Sequence, residues 1–81
     1  MNRRNEIHEY IIRKSELETE LVDTNNNILE AEYNINILNN EYENPGDTSN
    51  EVFKLQKLNT EYAKKQNQLK YVNRRIRELS K

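Results

Sequence analysis

An all-α fold, an antiparallel two-helix coiled-coil hairpin, is predicted by three features of the sequence. The one Pro and the one Gly of the 81 residues stand side by side in a single short run of turn formers. On each side of that run apolar residues recur at alternating steps of three and four, the heptad pattern of a helix with one apolar seam. The two seams also match one another when the chain is folded back about the turn.

The first helix is predicted over about residues 3–43. Its seam runs through Ile7, Tyr10, Lys14, Leu17, Leu21, Thr24, Ile28, Ala31, Ile35, Leu38 and Tyr42, and only Lys14 and Thr24 break its apolar character. Pro45 cannot donate a backbone hydrogen bond and disfavours helix in the residue before it, so the helix should stop near Glu43 and a turn should occupy 44–48. Thr48 followed by Glu51 has the form of a capping box, in which two side chains satisfy the free amides of a new helix. The second helix is therefore predicted over about 49–80, with Leu55, Leu58, Tyr62, Lys65, Leu69, Val72, Ile76 and Leu79 on its seam.

A turn centred between Gly46 and Asp47 pairs Leu38 with Leu55, Ile35 with Leu58, Ala31 with Tyr62 and Ile28 with Lys65. It continues with Thr24 opposite Leu69, Leu21 opposite Val72, Leu17 opposite Ile76 and Lys14 opposite Leu79. In this register every polar seam residue faces an apolar one, and a small residue faces a large one at Ala31 and Tyr62. Everything before Ile12 then lies beyond the end of the second helix.

Composition limits what such a rod can be. Leu, Ile, Val and Phe make up 19 of 81 residues, and the mean hydropathy is −1.20, so one thin core is all the chain can fill. There is no cysteine, which removes disulfides, thiol nucleophiles and thiolate metal ligands, and a single histidine argues against a metal site. No run of 18 apolar residues and no secretory leader are present, so the expectation is a cytoplasmic protein with no membrane contact. Asparagine, at 14 residues, outnumbers every other type even inside helical segments, as AT-rich coding in a small bacterial or phage genome produces.

The seam leaves apolar residues over. Ile7, Tyr10, Ile11 and Ile12 fall in the overhang, and Val22, Leu29, Tyr33 and Ile37 join Ile11 and Ile12 in a second stripe on the first helix. A two-helix bundle buries little, and small helical proteins usually associate for that reason. These eight residues are the expected assembly or partner interface, with an antiparallel homodimer forming a four-helix bundle as the leading arrangement. A protein partner is the other expected occupant.

Net charge is only −1, but it is unevenly spread. Residues 23–61 hold eight acids against two lysines, a balance of −6, and residues 62–81 hold seven bases against Glu78, a balance of +6. Lys70, Arg74, Arg75 and Arg77 form the candidate nucleic-acid contact, because cations on neighbouring turns can follow phosphates. Against it, cations near a helix C-terminus complement the helix dipole, and five glutamates between Glu6 and Glu20 are expected to neutralise much of the patch.

No catalytic, cofactor-binding or metal-binding residue and no small-molecule substrate are expected. Paired acids such as Glu16 with Glu20 need a desolvating cleft to act as a general acid, and a thin rod offers none. His8 has no Ser, Cys or second His placed to form a relay, and one glycine cannot make a phosphate loop.

The hairpin-dimer plan resembles that of the Rop-type plasmid regulators, whose helical face binds paired RNA loops. That resemblance is architectural and implies, as the alternative to protein binding, nucleic-acid recognition through the basic half of the second helix. Glu51 to Asn59 also resembles, in Val52, Gln56 and Leu58, the second helix of small sporulation-type aspartyl-phosphate phosphatases. Leu55 and Asn59 stand where that family has its motif Ser and Asp, so the activity does not carry over. In length and turn placement the chain is similar to the helical-hairpin chaperones of type III secretion. No motif is shared with any of the three. The function expected from the sequence is thus non-enzymatic: a regulator, inhibitor, adaptor or chaperone that self-associates and binds another macromolecule.

Overall fold

The computed structural model describes residues 3–41 and 48–81, and within them the protein is two helices packed along their length. Helix α1 spans Arg3–Glu41 and helix α2 spans Ser49–Leu79. Residues 44–47 of the predicted turn at 44–48, the helix stop at Glu43 and the seam position Tyr42 lie outside the described residues. A helix of 39 residues is about 58 Å long at a rise of about 1.5 Å per residue, and the molecule measures 62 × 17 × 14 Å. It is a rod two helices thick.

The seam holds in both helices. Leu17, Thr24, Ile28, Ala31 and Val72 are buried, and every other seam residue from Ile7 to Leu38 and from Leu55 to Leu79 is half-buried. Leu17 is the deepest, at 0% exposure. These positions are covered because a heptad repeat keeps one narrow stripe of each helix turned toward the other.

Helix pairing differs from the register predicted about Gly46 and Asp47. Lys65 Nζ donates a hydrogen bond of 3.3 Å to Thr24 Oγ1, where the predicted partner of Thr24 was Leu69. Arg13 Nη2 donates to Gln68 Oε1 at 3.3 Å, twelve residues short of the partner that the predicted register assigns it. The rings of Tyr10 and Tyr71 meet edge to face, centroids 6.5 Å apart at 74°. Offsets of four to twelve residues centre on about one heptad, and a slip of one heptad lays seam on seam again. Periodicity cannot distinguish the two registers.

The slip changes two expectations. Polar seam residues do not all face apolar ones: the Lys65 ammonium and the Thr24 hydroxyl satisfy each other inside the seam, which avoids leaving a buried donor without an acceptor. The overhang is also shorter than predicted, since Tyr10 lies against α2 and Ile7 is half-buried.

The helix ends are simpler than the sequence suggested. Thr48 has helical backbone angles, φ −86° and ψ −4°, and makes no side-chain cap hydrogen bond. An N-cap hydroxyl reaches the second or third amide only from an extended backbone, so the Thr48 side-chain half of the predicted capping box does not form. Glu51 Oε2 is buried without a hydrogen-bond partner among the described residues. At the other end Ser80 donates twice to the Ile76 carbonyl, from its backbone N–H at 3.0 Å and from Oγ at 2.7 Å.

Candidate interaction surfaces

With the seam filled, α1 still presents large apolar side chains to solvent. Ile11, Ile12, Val22, Leu29 and Tyr33 are between 46% and 64% exposed. Ile11, Val22, Leu29 and Tyr33 follow one another at steps that keep them on neighbouring rows of the helix, with Ser15, Thr19 and Asn26 between them. Ile37, assigned to the same stripe, is half-buried. Ile7 and Tyr10 belong in part to the hairpin's own packing, so five of the eight expected interface residues are openly exposed. Helix α2 adds Val52, Phe53 and Tyr71, of which Phe53 is the most exposed at 67%.

The open end is organised around Tyr10. Tyr71 meets its ring edge-on, and the Arg75 guanidinium sits 5.8 Å from its centroid. Arg75 also donates to Glu78 Oε2 at 2.7 Å. Hydrogen bonds to Tyr10 and then to Glu78 hold the Arg75 guanidinium above its already high ordinary pKa. It is a permanent cation committed to its neighbours. Arg74 lies over the Tyr71 ring at 5.6 Å and reaches Glu78 only at 3.8 Å.

Charges that nearly cancel in the sequence are sorted in space. Glu16 and Glu20 both take the Arg13 guanidinium, each at 3.2 Å. Glu6 and Glu9 line one open groove between the helices together with Tyr10, Arg13, Gln68 and Tyr71. A different groove is lined by Lys14, Asn67, Lys70, Asn73, Arg74 and Arg77, with Tyr71 and Ile76, and by no carboxylate. The glutamates expected to neutralise the basic cluster therefore do not line its groove. Of the four predicted nucleic-acid residues, Lys70, Arg74 and Arg77 come together there, and Arg75 is turned to Tyr10 and Glu78 instead.

Lys14, expected on the seam opposite Leu79 and beside the basic segment but not among the nucleic-acid contacts, lines this groove with three of them. A signal existed in the spacing of 70, 74 and 77, which puts three cations on one face of α2. Which α1 residue would complete that face depends on register, and register is what the heptads leave open. Among the described residues no three acidic or histidine side chains come together to hold a metal, and no helix is long and apolar enough to cross a membrane.

No protein-family model matches the chain, and neither the curated proteins nor the solved structures give a match to it.

Proposed function

We propose that the hairpin is a non-enzymatic assembly module: it pairs with a second copy of itself through the exposed stripe of α1, and the resulting bundle presents its remaining surface to a macromolecular partner, as a regulator, adaptor or chaperone does. The observation that carries this reading is the row of Ile11, Ile12, Val22, Leu29 and Tyr33, exposed although the intramolecular seam is already complete.

Area and charge both favour a second copy as the occupant. The accessible surface is 6398 Å², whereas a compact monomer of 9.8 kDa exposes about 5,200 Å². The excess, about 1,200 Å² for one chain, exceeds the roughly 800 Å² that each partner contributes to a standard interface. The −6 balance of residues 23–61 and the +6 balance of residues 62–81 make each rod dipolar. Antiparallel alignment sets unlike ends together and parallel alignment sets like ends together, so electrostatics selects the antiparallel dimer.

Sedimentation equilibrium over a hundredfold range of concentration tests the proposal. A dimer is expected, with Leu29→Asp shifting it to monomer while far-ultraviolet circular dichroism stays helical. A parent chain that remains monomeric at about 100 μM, or a Leu29→Asp variant that assembles like the parent, would overturn it.

A further inference from the structure

We infer that the groove lined by Lys14, Lys70, Arg74 and Arg77 is a binding site for the phosphodiester backbone of single-stranded nucleic acid.

The charge of the groove is a product of the fold. The chain is slightly acidic overall, and the N-terminal arm that flanks the groove carries five glutamates against four bases. None of those acids lines the groove: Glu16 and Glu20 bind Arg13, Glu6 and Glu9 line an adjoining groove that shares Asn67 and Tyr71, and exposed Glu18 lines neither. Glu78 makes its short contact with Arg75, at 2.7 Å, and leaves Arg74 at 3.8 Å. Lys14, Lys70 and Arg77 have no ion pair among the described residues, and no carboxylate lines the groove they share. Four cations thus converge from two helices on a groove that no carboxylate lines, and of the four only Arg74 holds an ion pair among the described residues, at 3.8 Å to Glu78.

The arrangement suits a single strand better than an acidic protein segment. Positions 70, 74 and 77 rise along one face of α2 in steps of about 6 and 4.5 Å, so a strand laid along the helix meets a cation at each turn. The neutral lining is also of the kind that bases use. Asn67 and Asn73 each offer both a donor and an acceptor to base edges. Tyr71, with Arg74 stacked 5.6 Å from its centroid, supplies flat aromatic and guanidinium surface on which an unpaired base can lie. An acidic peptide would use the cations and leave these groups without a role.

Fluorescence anisotropy with a labelled 16-nucleotide strand of mixed sequence, as RNA and as DNA, tests the assignment on the full chain. Four phosphate contacts predict a slope of about −2.8 for log affinity against log salt, or about 50-fold weakening between 50 and 200 mM. Lys70→Gln with Arg77→Gln should halve that slope and weaken binding at least tenfold at 50 mM salt. The double variant should melt like the parent, because neither side chain is paired within the described fold. Lys54→Gln, about 24 Å along α2 from Lys70, should leave strand binding unchanged. Absence of binding at 50 mM salt, or unchanged affinity in the double variant, would overturn the inference. So would polyglutamate displacing the strand at equal charge, which would assign the groove to acidic protein, or a duplex of the same sequence binding more tightly than the strand.

Discussion

Replacing Leu17 by Ala tests whether the seam between α1 and α2 is what holds the rod together. Leu17 is 0% exposed, so truncation removes three buried carbons and leaves a cavity that two straight helices cannot easily close. Substitutions of this kind cost about 3 kcal/mol. An 81-residue chain has a total stability of about 4–12 kcal/mol, so one side chain accounts for a quarter or more of it. At about 4–8 °C per kcal/mol for a domain of this size, the melting temperature should fall by about 12–24 °C. The assay is thermal melting followed at 222 nm, at two protein concentrations tenfold apart. Leu29→Ala is the matched control, since Leu29 is 56% exposed and lies off the seam. Its effect should be small wherever the hairpin is monomeric and should grow with concentration where the stripe is buried by a second copy. A Leu17→Ala melting point within about 5 °C of the parent would refute the seam as the main source of stability.

Thr24→Val should cost about 1 kcal/mol, because it strips the Lys65 ammonium of its acceptor, and adding Lys65→Met should restore parental melting or exceed it, as seen by the same thermal assay. Cysteines replacing Tyr10 and Tyr71 should be joined by a short bis-maleimide, because those rings are 6.5 Å apart in the hairpin, whereas the register centred between Gly46 and Asp47 would separate the two positions by about 18 Å along the rod. Arg75→Gln should lower the melting temperature equally at pH 6 and pH 9: contacts that raise a folded-state pKa contribute fully below the unfolded value, and for a guanidinium that value lies well above both conditions. An antiparallel dimer should crosslink Ile11→Cys on one chain to Tyr33→Cys on another when the two variants are mixed, and Ile11→Cys alone should give little product, whereas a parallel dimer gives the reverse pattern on gels.

The fold was legible because it rests on periodicity alone. Leu17, Ile28, Ala31 and Val72 are buried where the three-and-four spacing puts them, and the bounds of α2 differ from the predicted ones by a single residue. Register was not legible, for a physical reason: two seams of period seven fit one another equally well at every slip of one heptad. What distinguishes the slips is the minority of residues that are not simply apolar. Thr24 and Lys65 satisfy each other in one register and face apolar residues in the other, and Tyr10 finds Tyr71 and Arg75 in one and lies beyond the helix in the other. The Thr48 side-chain cap was not legible because the residue type says nothing of the backbone angle at Thr48. The candidate surfaces divide in the same way. The apolar stripe on α1 could be read from the spacing within one helix, but the basic groove needs Lys14 from one helix beside Lys70 and Arg77 from the other.

Stripe and groove place opposite demands on salt, and that gives their relation a direction. Burial of Val22, Leu29 and Tyr33 against a second copy is an apolar contribution that salt does not weaken, while the unlike ends only orient the pair. Phosphate contacts at Lys14, Lys70, Arg74 and Arg77 depend on the release of counterions and fade steeply as salt rises. In an antiparallel pair the acidic end of one rod lies toward the basic end of the other, so a strand in the groove competes with the partner's acids for the same cations but not for the apolar stripe. If both proposals hold, strand binding should loosen the orientation of the pair while leaving its apolar contact intact. On the proposed reading, assembly would rest on the stripe and recognition on the groove, and the arrangement of charge along the rod would couple the two.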